Sequence, residues 1–243
     1  TSADHLAAVS ELGIKSLATN WFFAEGFQGG GTNFDSWLLV LNPNTTPVDV
    51  TYTFYDTSGN TLATMTRSVG ARARAQVWGG EFDQLRGKAF STRITSTGPI
   101  AAERAVYWRG YAEGHATAGA TQASLKWGFA EGLQGGFGLY QDTADRDKRR
   151  FNTFYAVFNP NNAPATVTFD FYVETPTGNT GKRVVRTVPA NSRYTLWTLE
   201  VPELAHEKFA AFLSSDQPII AERVVYWGAN FRSGHASLGT PLA

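Results

Sequence analysis

Pro99-Ile100-Ala101-Ala102-Glu103-Arg104-Ala105-Val106-Tyr107-Trp108 returns further along the chain as Pro218-Ile219-Ile220-Ala221-Glu222-Arg223-Val224-Val225-Tyr226-Trp227. Each copy reads as an apolar strand interrupted by one Glu-Arg pair. Outward from it, the repetition extends over most of the sequence. Trp21-Phe22-Phe23-Ala24-Glu25-Gly26-Phe27-Gln28-Gly29-Gly30 matches Trp127-Gly128-Phe129-Ala130-Glu131-Gly132-Leu133-Gln134-Gly135-Gly136. Asn42-Pro43-Asn44 matches Asn159-Pro160-Asn161, Arg74 and Trp78 match Arg193 and Trp197, and Gly114-His115-Ala116 matches Gly234-His235-Ala236. Repetition at this scale decides the architecture before any local reading. It implies one unit over residues 21–126, a second over 127–243, and an extension, 1–20, without a counterpart. The spacing between matched motifs grows at two places, an insertion at 137–150 and the turn Thr175-Pro176-Thr177-Gly178. Turns are where a shared scaffold accepts extra residues.

Within each copy the local signal is β. Val48, Val50, Tyr52 and Phe54 alternate with Asp49, Thr51, Thr53 and Tyr55, and Val167, Phe169, Phe171 and Val173 alternate in the same way. Period two marks a strand with one face in a core and one in water. Gly59-Asn60 and Gly178-Asn179 supply hairpin turns. Trp37 to Leu41 and Phe154 to Phe158 are continuous apolar runs, expected to be central strands covered on both sides. Glu81 to Lys88 and Glu200 to Lys208 suit a helical turn, and Ser2 suits the cap of a short helix ending at Gly13. The fold expected is all-β: two tandem antiparallel β-sandwich domains related by internal duplication.

Composition narrows function. The 243 residues are 42% hydrophobic and 17% charged, with 21 basic residues balancing 21 acidic ones. A globular chain of zero formal net charge lacks the basic excess that nucleic acid or an anionic membrane selects. No apolar run is long enough to span a bilayer as a helix. Cysteine is absent, which excludes disulfides and thiolate chemistry.

Glutamates are the first candidates for chemistry, because paired carboxylates hydrolyse glycosides. Glu25 and Glu103, with Glu131 and Glu222, form the obvious sets. Yet neighbouring strand residues face opposite ways, so Glu103 cannot pair with Arg104, nor Glu222 with Arg223. A structural ion pair of Glu25 with Arg104, repeated by Glu131 with Arg223, is the economical assignment, since a lone buried charge is costly. His115 and His235 end matched strands, but no His-x-His or His-x-x-x-His spacing supports a metal site, and no cofactor motif is present. All seven tryptophans fall where both copies carry an aromatic, which favours a shared packing role. Phe137, Tyr140 and Phe231 are then the candidates for ligand or partner contact. The insertion places Asp142, Asp145 and Asp147 before Lys148-Arg149-Arg150, a solvated loop or partner contact more than a calcium site.

The order Trp-x-Phe-Ala-Glu-Gly, Asn-Pro-Asn, Ala-Glu-Arg-x-x-Tyr-Trp, Gly-His resembles a tandem repeat of large secreted and surface proteins of bacteria. The likeness covers residues 21–119 and 127–239, departing at Gly70-Ala71-Arg72-Ala73-Arg74 and in the loop 137–150. It implies β-sandwich modules outside the cell, in a family of unassigned role. Thr1 without a methionine or apolar leader fits a processed chain. The function expected is a non-catalytic extracellular structural or adhesive protein: a rigid spacer, or the subunit of a surface fibre or layer. Its partners are other copies or neighbouring surface proteins, met through residues 1–20 by strand addition. A carbohydrate-binding module with glycan partners is the alternative, and a glycosidase the third.

Overall fold

The structure, a computed structural model, describes residues 11, 13–136, 150–175, 178–228 and 231–242. The start of the N-terminal extension with its Ser2 cap, Phe137, Tyr140 and the acidic stretch of the insertion lie outside the described residues. The chain is all-β with antiparallel strand pairs, and it divides into two compact units, Thr1–Gln122 and Ala123–Ala243.

The first unit runs through β1 (Ala18–Phe23), β2 (Phe27–Gln28), β3 (Asp35–Asn42), β4 (Val48–Tyr55), β5 (Thr61–Val69), β6 (Ala73–Trp78), β7 (Lys88–Ala89), β8 (Ser91–Trp108) and β9 (Glu113–Ala118). The extension therefore ends before residue 20: Ala18 already pairs with Ile100, because the strand starts ahead of the Trp21 motif. β8 is the organising element. Its first part pairs with β1 and β4, and its second part, from Ala101, pairs with β3 and β9. Between the parts lies Thr97-Gly98-Pro99, where proline has no N–H to donate and glycine lets the strand turn from one sheet into the other.

Inward side chains of both sheets meet in one core. Trp21, Phe23, Val50, Tyr52, Phe54 and Ile94 from one sheet enclose Leu38, Val40, Val77 and Ala102 from the other. Gly79–Glu81 and Asp83–Leu85 form 3-10 turns that bring Phe82 to 5.1 Å from the Phe54 ring.

The second unit follows the same course: β10 (Ser124–Phe129), β11 (Phe151–Asn159), β12 (Ala165–Thr175), β13 (Gly178–Val188), β14 (Ser192–Trp197), β15 (Phe209–Trp227), β16 (Ser233–Leu238) and β17 (Thr240–Pro241). β10 begins at Ser124, so this unit takes in residues that motif matching assigned to the first. β15 repeats the behaviour of β8, pairing with β12 up to Ser215, with β10 up to Ile219, and with β11 and β16 from Ile220. Tyr155 on β11 contacts Phe129 on β10 and Phe171 on β12, so the two sheets again face each other across aromatic side chains.

The Asn-Pro-Asn motif has a structural explanation. Asn42 Nδ2 donates to the carbonyls of Thr46, Val69 and Gly70 at 2.9, 3.0 and 2.8 Å. Its Oδ1 accepts from the backbone N–H and side-chain amide of Asn44, and Asn44 Nδ2 reaches the Pro99 carbonyl at 2.8 Å. Asn159 and Asn161 repeat every one of these bonds, ending on Pro218. The motif ties two loops to the point where the long strand changes sheets.

Candidate functional site

Glu25 follows β1 in a segment held against the end of the sandwich. Gly26 is required there, because a Cβ would stand 2.6 Å from the Phe90 ring. Arg104, wholly buried on β8, donates Nη1 to the Glu25 carbonyl at 2.6 Å and sets Nη2 2.9 Å from Glu25 Oε2. Its guanidinium also lies over the Phe23 ring, 5.7 Å from the centroid. His115 is buried, its ring 5.6 Å from that of Trp108. Glu103, the outward neighbour of Arg104, is half-buried on the opposite face.

In the second unit Arg223 makes the same two contacts with Glu131, at 2.5 Å to the carbonyl and 3.2 Å to Oε2. The surroundings are more open. The Glu131 side chain is 52% exposed and that of His235 is 41% exposed, with Nε2 3.7 Å from Glu131 Oε2. Partial burial and the Arg223 charge hold the His235 imidazole below its ordinary pKa, against the pull of Glu131. At neutral pH the imidazole is uncharged, so this contact is no ion pair. Glu131 lines a groove of about 570 Å³ with Leu133, Tyr172, Glu174, Lys208 and Phe209; Arg223 stays behind it. Glu222 is fully buried.

A second constellation gathers matched aromatics around Asp35 and Tyr111, two residues that motif matching passed over. Trp37 and Trp78 are opposite each other on β3 and β6, their rings offset-stacked at 5.8 Å and 18°. Trp78 Nε1 and Gln28 Nε2 both donate to Asp35 Oδ1 at 2.9 Å, and Trp37 Nε1 donates to the Tyr111 hydroxyl at 3.2 Å. Tyr111, 52% exposed, packs its ring 5.1 Å from that of Tyr107 and sits at φ +66°, a region that side chains other than glycine rarely adopt. Partial burial pushes its hydroxyl pKa up; the Trp37 N–H opposes this and the Asp35 charge reinforces it.

The second unit carries the same frame with different chemistry. Phe154 stacks on Trp197 at 5.5 Å and 16°, and Trp197 Nε1 donates to Asn152 Oδ1 at 3.2 Å. Phe231, at φ +53°, packs on Phe154 and Tyr226. Phe231 is thus the counterpart of Tyr111 and part of this tier.

The Trp37–Leu41 run is not covered on both sides: β3 alternates, and Leu41 on the outer face is 48% exposed. Nor do all matched tryptophans share a core role. Trp21, Trp108 and Trp127 are buried, whereas Trp37 and Trp78 stand half-exposed on the outer face of their sheet.

Among the described residues no group of three or more His, Cys, Asp or Glu is placed to hold a metal ion, and no helix is long and apolar enough to cross a membrane. His206 lines a cavity of about 300 Å³ with Gln134 and Arg150.

No family model matches the chain, and no curated protein matches it. Among solved structures it is similar to Thermotoga maritima 1070, with 14% identity over 49% of this chain and 96% of that one and a TM-score of 0.39. It is similar to the Anabaena sensory rhodopsin transducer at 21% identity over 35% and 91%, with a TM-score of 0.30. For the tandem CBM22 domains of Paenibacillus barcinonensis Xyn10C the identity is 10% over 79% and 76%, with a TM-score of 0.20.

Proposed function

We propose that this chain is a non-catalytic structural or adhesive component of the extracellular surface, its two β-sandwich units serving as a spacer or as part of a fibre or layer. The observation that carries this reading is where the motif charges go. In both units the Glu-Arg pair joins the segment after the first strand to the long strand that bridges the sheets, through a carbonyl as well as a carboxylate. Residues so engaged hold a fold together, whereas a general acid needs a carboxyl free to exchange its proton with substrate. Together with the Asn-Pro-Asn clamp, the matched polar residues account for the closure of each unit.

The test is twofold. Glu25→Gln and Glu103→Gln variants are compared with the parent for hydrolysis of polysaccharides and for thermal melting, and the concentrated protein is viewed by electron microscopy. The reading expects no hydrolysis from any of them, a lower melting temperature for Glu25→Gln, and ordered assemblies. Hydrolysis by the parent that Glu25→Gln abolishes at unchanged melting temperature would falsify it.

A further inference from the structure

The aromatic tiers of the two units form an internal comparison. Both stack a tryptophan of the sixth or fourteenth strand on a ring of the strand opposite, and both tether that tryptophan through its N–H to the residue at position 35 or 152. They differ at three stations. The first unit has Asp35, Trp37 and Tyr111 where the second has Asn152, Phe154 and Phe231. The differences give the first unit an indole N–H, a phenol and, in place of the Asn152 amide, a carboxylate charge. The second unit shows that the frame packs without them. They are therefore additions to a scaffold that does not need them, and they occur where the sheet face is open.

From this geometry we propose that the outer face of the first unit, built on Trp37, Trp78, Tyr107 and Tyr111 with Asp35 beside them, binds polysaccharide, laying hexopyranose rings against the indoles. It rests on the reading of the chain as a non-catalytic surface component, and it names what that component adheres to. Both indole N–H groups are turned back into the protein, onto Asp35 and Tyr111, so the exposed parts of the rings are apolar surface. Apolar aromatic surface matches the C–H face of a sugar ring, and convergent polar groups beside it match the hydroxyls. Asp35, the Tyr111 hydroxyl and the exposed amide of Gln76 provide such groups. Tyr111 is held at a backbone conformation costly for a tyrosine, which fixes its ring beside Tyr107. The site is an open sheet face, suited to an extended polymer. A second copy of this chain fits it less well, since Leu39 on that face lies between Gln76 and Glu103 and no continuous apolar centre forms.

The test uses the full chain and a triple variant, Asp35→Asn with Trp37→Phe and Tyr111→Phe, whose new side chains are those the second unit carries in the same frame. Native gels cast with hydroxyethylcellulose, xylan or galactomannan, and sedimentation with insoluble cellulose and chitin, measure retention. The parent is expected to be retained by at least one polymer. The triple variant is expected to bind about tenfold or more weakly at an unchanged melting temperature. Should the triple variant melt early, Tyr111→Phe alone removes one exposed hydroxyl and is expected to weaken retention. No retention of the parent on any polymer, or equal retention by the folded variants, overturns the site. Sedimentation velocity supplies another overturning result: a parent that dimerises through this face, with a monomeric variant and no retention, makes it a contact between copies. Release of reducing ends from the same polymers would refute the non-catalytic reading separately, leaving retention to judge the site.

Discussion

Arg104 and Arg223 hold the same position in the two units but differ in how much water reaches their partner. Both the Arg104 side chain and Glu25 are shielded, at 0% and 9% exposure, whereas Glu131 is 52% exposed beside Arg223. Removing one charge of a shielded pair strands the other and costs about 3–5 kcal/mol, while an exposed pair is worth about 1 kcal/mol or less. Glu25→Gln is therefore expected to lower the stability of the first unit by about 3 kcal/mol, and Glu131→Gln that of the second by no more than about 1 kcal/mol. Denaturant melts of the two variants check the asymmetry, and equal losses would contradict it. Tyr52 makes a complementary case. It is fully buried, its hydroxyl has no hydrogen-bond partner among the described residues, and burial, opposed by the Arg67 charge, pushes its pKa to about 12. The second unit holds Phe169 at this station. Tyr52→Phe keeps the ring and removes the unmet polar atom, so a gain of about 1 kcal/mol is expected, read from the shift of the melting midpoint.

Among the elements, the two long strands β8 and β15 hold the units together and the Asn-Pro-Asn clamps hold the strands. Asn42→Asp replaces an amide donor facing three carbonyls with a carboxylate oxygen, which leaves those carbonyls unpaired and adds repulsion. A loss of about 3 kcal/mol or more is expected. Asn159→Asp should match it, because the Asn159 amide meets three carbonyls in the same way. Urea titrations of both variants measure this. The β character of these elements was readable from period two, because a face packed into a core and a face in water leave opposite marks on alternate residues. β4 shows this plainly, with Val48, Val50, Tyr52 and Phe54 inward. The continuous apolar run of β3 marked a strand but misjudged its outer face. An apolar run does not state whether its outer side chains meet protein or solvent, and Trp37, Leu39 and Leu41 turned out to face outward. The site suffered from a related ambiguity. Matching the two copies reveals what they share, and so it brought forward Glu25, Arg104, Glu131 and Arg223. It hid Asp35 and Tyr111, whose significance lies in differing from Asn152 and Phe231. The signal was present in those unlike pairs, but only the fold shows that they meet around one tryptophan.

At the scale of the whole molecule, each named strand pair joins strands of one unit, and each unit fills its interior with its own aromatic side chains. A unit of this length buries roughly two-thirds of its unfolded surface, enough to fold without cross-links. Ala123–Ala243 expressed alone is therefore expected to melt in one cooperative transition. That transition should weaken with acid in a manner traceable to His235. Its imidazole titrates below the unfolded value of about 6.5, so near and below that pH the unfolded chain binds more protons than the folded one. Stability is then fully present above the unfolded pKa, declines as pH falls toward the folded pKa, and levels off below it. Glu131, which draws the imidazole pKa upward, keeps the decline shallow. His235→Gln removes the titrating group, so the difference in melting midpoint between parent and variant fragments should be flat above about pH 7 and move in the variant's favour as pH falls below about 6.5. A difference independent of pH, measured by calorimetry across that range, would show that the imidazole titrates alike in both states and that Arg223 and burial do not act on it.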